Sequence, residues 1–125
     1  MKKSRAKLLA SLRRLHQERR RLLRRLTREH ELAIGTVSVV RRKCGNPRCH
    51  CAEGLGHPQT LFLFNDEKEK RRRCKLVRRA DESRLLRAGK RYREFREDLK
   101  QLRAIDRREK EILVVLRDQR AIGYE

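Results

Sequence analysis

Leucines recur at helical spacing through the first quarter of the chain. The repeat alternates steps of four and three residues and consists of Leu8, Leu12, Leu15, Leu22 and Leu26. Arg19 occupies the one place in the repeat where an apolar residue is missing. No glycine or proline interrupts the span from Ser4 to Ile34, and Gly35 is of the type that commonly ends a helix. The pattern predicts one long helix from Ser4 to about Ile34.

The spacing changes to alternation after this helix. The segment "GTVSVVRRKC" is rich in β-branched residues and predicts a strand at about Thr36–Arg42. The segment "QTLFLFND" predicts a second strand with the polar "NDEKEK" as its turn, and a third strand is predicted at about Arg71–Arg78. Two or three strands are only marginally stable alone. This unit therefore needs either a metal ion or packed helices to hold it together.

A second helical pattern begins at about Asp81. Its apolar stripe consists of Leu85, Ala88, Tyr92, Phe95, Leu99, Leu102, Ile105, Ile112 and Leu116. Asp106 and Glu109 interrupt the stripe, so the end of this helix is expected either to splay away or to meet another chain. Gly89 weakens the first turns by about 1 kcal/mol.

Three of the four cysteines lie in one short segment, "KCGNPRCHCAEGLGHP", at residues 43–58. The spacing C-x4-C-x-C-x5-H brings together three thiolates and one imidazole, a common tetrahedral ligand set for zinc. The predicted ligands of one structural zinc ion are Cys44, Cys49, Cys51 and His57. The fourth ligand stays open, because His50 or Cys74 are alternatives to His57.

Together these elements predict a mainly α fold that forms one structural unit. A long basic helix (1–34) and a C-terminal helix (80–125) are expected to run antiparallel as a helical hairpin or coiled coil, with their apolar stripes facing each other. Residues 35–79 are expected to form a small zinc-stapled antiparallel sheet of two or three strands at the tip of this hairpin.

Charge changes the functional interpretation. Charged residues make up 43% of the 125 residues, and the formal net charge is +20. Repulsion of this size disfavours a compact state unless an anion neutralises it. Nucleic acid is the expected anion, because arginine and lysine release counterions when they bind phosphates. Binding to a membrane surface or to an acidic protein is the alternative.

Hydropathy argues against a membrane protein. No run approaches the roughly 18–20 apolar residues that span a bilayer, and arginines interrupt the signal-like start "MKKSRAKLLASLRRLHQ". We therefore expect a cytoplasmic protein that does not bind membranes. Cysteines stay reduced in the cytoplasm, which favours a metal site over a disulfide.

The pattern contains little that predicts catalysis. A hydrolytic zinc site needs an open coordination position and a nearby carboxylate base, whereas this loop offers four ligands and one acid, Glu53. The paired H-x-E and P-C-x-x-C motifs of a zinc deaminase are not present. We therefore expect a closed structural metal site and no enzymatic activity.

The segment "GTVSVVRRKCGNPRCHCAEGLGHPQTLFLF" resembles a family of small uncharacterised bacterial and phage proteins. Their shared signature is a strand, C-G-[KN]-P-x-C-x-C-A-x-G-x-x-H, an aromatic-rich strand, a polar turn, a basic strand and a long helix. The resemblance covers about residues 35–105 and implies the same four metal ligands. Such proteins are often encoded beside transposases and other mobile-element genes, and the resemblance implies no settled activity.

The leading hypothesis is a non-enzymatic, zinc-containing accessory protein that binds DNA or structured RNA, working with a mobile-element transposase or nuclease. Backbone contacts of this type position a protein but do not specify sequence. The predicted contact residues are Arg13, Arg20, Arg21, Arg24, Arg28, Arg41, Arg42, Lys43, Arg48, Arg71, Arg72, Arg73 and Lys75. The alternatives are a coiled-coil adaptor that binds a protein partner or a second copy through its helical stripe, and a ribosome-associated protein that binds rRNA.

Overall fold

A computed structural model describes residues 4–54 and 56–124. Two helices and three strands follow one another along the chain. They are α1 (Arg5–Leu26), β1 (Thr36–Arg42), β2 (His57–Asp66), β3 (Arg71–Leu76) and α2 (Glu82–Arg120). Short 3-10 turns cover His50–Glu53 and Arg79–Asp81. The expected mixture of two long helices and one small antiparallel sheet is confirmed.

The first helix is shorter than its sequence pattern predicts. It begins where the Ser4 side chain accepts a hydrogen bond from the Lys7 amide, an ordinary N-cap. It ends at Leu26, well before Ile34. The Thr27 hydroxyl donates to the Leu23 carbonyl at 2.7 Å, which is the kind of local bond that competes with helix continuation.

The residues after α1 pack against another part of the chain instead of continuing the helix. The Ala33 amide donates to the Ala88 carbonyl at 3.0 Å, and Ala33 is buried in one cluster with Val37 and Ala88. Gly35 is consequently not a helix stop. A Cβ on this glycine would lie 2.1 Å from the Leu63 carbonyl oxygen, so the close approach of the chain to β2 requires glycine here.

The three strands form one antiparallel sheet in the order β1-β2-β3. The β1–β2 register runs from Thr36 opposite Leu63 to Arg42 opposite His57. The β2–β3 register runs from Leu61 opposite Leu76 to Asp66 opposite Arg71. The third strand ends at Leu76, two residues before the predicted end, although one further backbone bond joins Val77 to Thr60.

The chain divides into two compact units. One contains His30–Glu94, with the sheet and the first turns of α2. Its core joins Val37 of β1 to Ala88 of α2, with Phe62 and Leu85 packed against them. Gly89 has a packing role here, because a Cβ at this position would lie 2.9 Å from a Val37 methyl carbon. Gly89, which lowers the helix propensity of α2, therefore allows β1 to pack closely against this helix.

The other unit contains Met1–Glu29 and Phe95–Glu125. Leu8 of α1 is buried in one cluster with Ile112 and Leu116 of α2, and Leu9, Leu12 and Leu15 pack against them. Further along α1, Arg25 pairs with the buried Asp98 at 3.1 Å. The end of α2 therefore packs on α1 within this unit. The complete hairpin and the tip position of the sheet stay predictions.

Candidate metal centre

Four side chains of the cysteine segment come together at one end of the sheet. The ligand atoms of Cys44, Cys49, Cys51 and His57 all lie within 4.8 Å of one another. The Cys49 Sγ lies 3.0 Å from the His57 Nε2, and the Cys51 Sγ lies 3.3 Å from the Cys44 Sγ. These are the four residues that the sequence predicts as ligands.

The strands position two of the four residues. Cys44 follows the end of β1 after one intervening residue, and His57 is the first residue of β2. Because Arg42 and His57 are opposite each other in the ladder, the end of one strand and the start of the next meet at the cluster. The cluster therefore lies at the end of the β1–β2 ladder and connects the two strands there.

A compact turn positions the other two. The Cys49 amide donates to the Asn46 carbonyl at 3.0 Å, and the Arg48 amide donates to the Asn46 side chain at 3.0 Å. Such self-bonding is why asparagine favours turns. A 3-10 turn from His50 to Glu53 then carries Cys51, which is buried, beside Cys49.

Gly56 brings the chain back to the cluster. Its φ is +91°, and a Cβ would lie 2.3 Å from the carbonyl carbon of Arg42. No other residue type fits this approach without backbone movement. The Gly56 carbonyl also accepts a hydrogen bond from the Arg41 guanidinium at 3.3 Å. Arg41 therefore braces the segment that presents His57.

The thiols titrate differently because their surroundings differ. Backbone hydrogen bonding from Asn46 and the neighbouring thiols lower the pKa of Cys44 from 9.0 to about 7. The pKa of Cys51 is raised. The hydrogen bond that Cys51 accepts from the Cys44 backbone amide lowers this pKa, but burial and the adjacent thiols raise it by more. One thiolate therefore forms readily near neutral pH, which suits a site that binds a divalent metal ion.

The donor set fits zinc. Three sulfurs and one imidazole nitrogen match a common structural zinc site, and four protein ligands leave no coordination position open for water. His50 and Cys74 are not in the cluster that the described residues form. Cys74 lies in β3 opposite Leu63 and is exposed.

The predicted basic contacts lie in separate places within the sheet unit. Arg42 lies opposite His57, and Lys43 and Arg48 are exposed in the cysteine segment. Lys75 and Arg71 lie opposite Phe62 and Asp66 of β2. With about 3.3 Å per residue, the β3 residues lie roughly 16–30 Å along β2 from His57. The structure does not bring the two groups together.

Ion pairs occupy several of the predicted contacts. Arg71 pairs with Glu69 at 2.7 Å, and Arg73 pairs with Asp66 at 3.0 Å. On α1, Arg21 pairs with Glu18 at 2.6 Å. Within residues 4–54 and 56–124, no ion pair involves the remaining exposed ones, namely Arg13, Arg20, Arg24, Arg28, Arg41, Arg42, Lys43, Arg48, Arg72 and Lys75. Arg28 lies beyond the end of α1 and not within a helix.

Sequence reasoning missed an exposed basic stripe on α2. It consists of Lys100, Arg103, Arg107 and Lys110, four residues spaced by three, four and three positions. The same spacing rule that identified the apolar stripes identifies this one. It was obscured because acidic residues are interspersed with it in the sequence.

Neither helix has an apolar stretch long enough to cross a membrane within the part of the chain that the structure describes. The fold and the cluster define a small protein with two helices, a three-stranded sheet and a Cys3His cluster of metal-ligating side chains. The chain belongs to the family described as a domain of unknown function (DUF6788), whose model matches residues 12–88. No curated protein and no solved structure matches the chain.

Proposed function

We propose that this is a non-enzymatic, zinc-containing protein that binds nucleic acid. One structural zinc ion, held by the Cys3His cluster, fixes the segment between β1 and β2. The exposed basic residues Lys43 and Arg48 of that segment, with Arg42 at the end of β1, then contact phosphates from a defined position. Those on α1 and β3 add further backbone contacts.

The observation that carries the proposal is how charge is distributed. In the helical unit, acidic side chains are directed to internal partners: Asp98 to Arg25, and Asp106 and Glu109 to Arg19. Arg13, Arg20 and Arg24 of the same unit are exposed. A chain of net charge +20 that engages these three acids between its helices leaves a strongly positive surface. Such a surface attracts polyanions and binds them through counterion release.

The proposed role of the metal is structural. Four ligands close the coordination shell, and Cys51 is buried, so a bound zinc ion would have no open position at which water attacks a substrate. The sheet unit has a small core and gains stability from the metal, because binding free energy adds to folding free energy. This supports a binding module and not a hydrolase.

The helical pair is proposed to be an antiparallel hairpin. Contacts on α2 move toward its start as those on α1 move toward its end: Leu8 with Ile112 and Leu116, then Arg25 with Asp98. This order supports the proposal within the helical unit. The hairpin gives the basic residues of α1 a rigid support.

A salt titration tests the proposal. The zinc-loaded full-length protein is titrated into duplex DNA, single-stranded DNA and an RNA hairpin at several salt concentrations. We expect log K to fall steeply with log salt, with a slope of about −0.9 for each duplex phosphate contacted. With few aromatic residues for base stacking, we expect duplex DNA or the RNA hairpin to bind more tightly than the single strand. Absence of binding to all three at low salt contradicts the proposal.

A matched pair of variants locates the contact. The variant R42Q/K43Q/R48Q removes three exposed charges in or next to the cysteine segment. The control K68Q/R79Q/R87Q removes three exposed charges elsewhere in the sheet unit. We expect the first variant to weaken binding at least fivefold more than the second. Equal weakening would mean that net charge alone, and not the cysteine segment, governs binding.

One observation favours a second candidate, an adaptor that binds a protein partner or a second copy. Leu113, Val114 and Val115 near the end of α2 are 54%, 43% and 42% exposed. Exposed apolar residues on a helix are typical of helix-on-helix docking. Sizing of the protein alone, and with L113Q/V115Q, distinguishes self-association from a monomer.

The biological setting is part of the proposal. The reduced thiols of the cluster suit the cytoplasm, and the resemblance of the cysteine segment supports an accessory role beside a mobile-element transposase or nuclease. A marked preference for the RNA hairpin over both DNA probes would favour the ribosome-associated alternative instead.

A further inference from the structure

The exposed basic stripe of α2, Lys100, Arg103, Arg107 and Lys110, lies on the side of the helix that faces away from α1. With about 100° of rotation per residue, its centre is about half a turn from Ile105, Ile112 and Leu116, the buried residues of the same helix. All four basic residues are exposed. The stripe is therefore on the solvent side of the helical unit.

Three of the acidic residues near this stripe pair with arginines outside it. Asp106 and Glu109 pair with Arg19 on the α1 side, and Glu111 lies 3.9 Å from Arg108. In contrast, no ion pair within residues 4–54 and 56–124 involves the four stripe residues. The stripe therefore keeps its charge for an external anion.

The helical unit carries a second basic face on α1. Arg13, Arg20 and Arg24 are exposed and lie about 140° around the helix from the centre of the leucine stripe that packs on α2. Each helix thus buries one side in the shared core and presents basic residues on its outer side. The two basic faces lie on opposite sides of the helix pair and point in different directions. They therefore do not form the two walls of one groove.

We propose that these two faces bind two separate nucleic-acid duplexes, so that one protein molecule bridges them. This inference rests on the proposed nucleic-acid binding and adds that one protein molecule binds two duplexes at the same time. The stripe is about 15 Å long at 1.5 Å per residue, and a duplex carries one negative charge per about 1.7 Å of axis. One face therefore engages several phosphates of one duplex.

Charge and composition favour a duplex over an anionic membrane. A membrane-surface helix needs an apolar side to insert beside its basic side. The buried side of α2 is packed on α1 through Ile112 and Leu116, and the stripe itself contains only lysine and arginine. The exposed apolar residues Leu113, Val114 and Val115 follow the stripe along the helix and do not lie beside it. The contact is therefore purely electrostatic and suits a polyphosphate backbone.

A bridging assay tests the inference with the zinc-loaded full-length protein. A 30-base-pair duplex is fixed to beads, the protein is added below saturation, and capture of a second, fluorescent duplex is measured together with the amount of protein retained. We expect the unaltered protein to be retained and to capture the second duplex. Sedimentation confirms whether the bridging species is a monomer.

The decisive variant is K100Q/R103Q/R107Q/K110Q. We expect it to be retained on the beads but to capture at least fivefold less of the second duplex. The same result is expected for R13Q/R20Q/R24Q, which removes the other face. The control K68Q/R79Q/R87Q/K90Q lowers the net charge as much as the α2 variant does at exposed positions of the sheet unit, and it should bridge at least half as well as the unaltered protein. Glutamine keeps helix propensity close to that of lysine and arginine.

The outcomes separate this inference from the proposed function. Failure of the unaltered protein to bind the beads overturns bridging, and the salt titration with all three probes then decides whether nucleic-acid binding fails as well. Retention on the beads without capture of the second duplex overturns bridging and leaves nucleic-acid binding intact. Full capture by the α2 variant, or capture only by a dimer, also overturns the assignment of bridging to the two faces of one molecule.

Discussion

Arg19 and Glu109 form a two-point ion pair: Arg19 Nε lies 3.3 Å from one carboxylate oxygen of Glu109, and Nη2 lies 3.1 Å from the other. Asp106 bonds to the same guanidinium. Arg19 is the gap in the leucine repeat of α1, and the two acids are the gap in the apolar stripe of α2. The two interruptions in the sequence are therefore partners in the structure.

Removing Arg19 alone is expected to destabilise the helical unit. R19Q leaves Glu109, whose side chain is 17% exposed, without its charge partner. Partly buried carboxylates that lose a partner are costly, so we expect a loss of about 1–3 kcal/mol in the free energy of unfolding. Chemical denaturation measures this.

The triple variant R19L/D106L/E109L is the informative comparison. It replaces all three charges by leucine and continues both apolar stripes, so we expect stability within about 1 kcal/mol of the unaltered protein or above it. Equal destabilisation of R19Q and the triple variant would show that the cost of R19Q does not come from unpaired carboxylates.

Gly89→Ala is expected to destabilise the sheet unit although alanine favours helices. Helix propensity alone predicts a gain of about 1 kcal/mol. The added Cβ, however, would lie 2.9 Å from a Val37 methyl carbon, so we expect a net loss of about 1–2 kcal/mol. In the background of V37A, which removes that methyl but keeps the position 37 Cβ 3.0 Å from the added Cβ, the loss caused by G89A should be smaller. A G89A substitution that stabilises both backgrounds would contradict this packing.

The thiols of the metal-free protein are expected to react in a fixed order. Because the pKa of Cys44 is lowered to about 7, its thiolate forms as the pH rises through about 7, below the ordinary range near 9. Cys51, whose pKa is raised, should react only at higher pH. Alkylation followed by mass spectrometry of the peptides measures both midpoints, and a Cys51 that reacts first would contradict the arrangement.

Zinc affinity is expected to decrease as the pH falls, in line with the protonation of Cys44. As the pH falls through about 7, Cys44 takes up a proton that a bound metal must displace, so zinc affinity falls toward acid pH. Competition with a chelator at pH 6, 7 and 8 measures the trend. Affinity that does not change across this range would contradict thiolate ligation.

Metal removal is expected to affect the sheet unit more than the helices. Metal analysis should return one zinc per chain. Chelation should remove the protection of the β1 and β2 backbone amides from hydrogen exchange, while most of the helical circular dichroism signal persists. C44S and H57A should each lose the zinc. C74S and H50A, which alter residues outside the cluster, should keep it, and zinc loss from either control would mean that the ligand set is wrong.

Much of this structure follows from local sequence patterns. Leucine spacing identified α1, alternation identified β1 and β2, and cysteine spacing identified the four clustered side chains. These features depend on neighbours within a few residues, which is why they are visible in the chain itself.

The parts that could not be predicted depend on distant contacts. The residues after α1 pack on a distant part of the chain, Ala33 on Ala88, and the need for glycine at position 35 comes from the Leu63 carbonyl on β2. The pairing of Arg19 with Glu109 joins residues ninety positions apart. The basic stripe of α2 became visible only when its neighbouring acids proved to be paired on the other side.

The most direct test of the central claim is whether nucleic-acid binding depends on the metal. Affinity for a 20-base-pair duplex is measured at one low salt concentration for the zinc-loaded protein, the chelated protein and H57A, with H50A as the matched histidine control. The account predicts tight binding by the zinc-loaded protein and H50A, and at least tenfold weaker binding by the other two, which keep only the contacts of the helical unit. Equal affinity in all four samples would contradict the claim that the metal organises the binding surface.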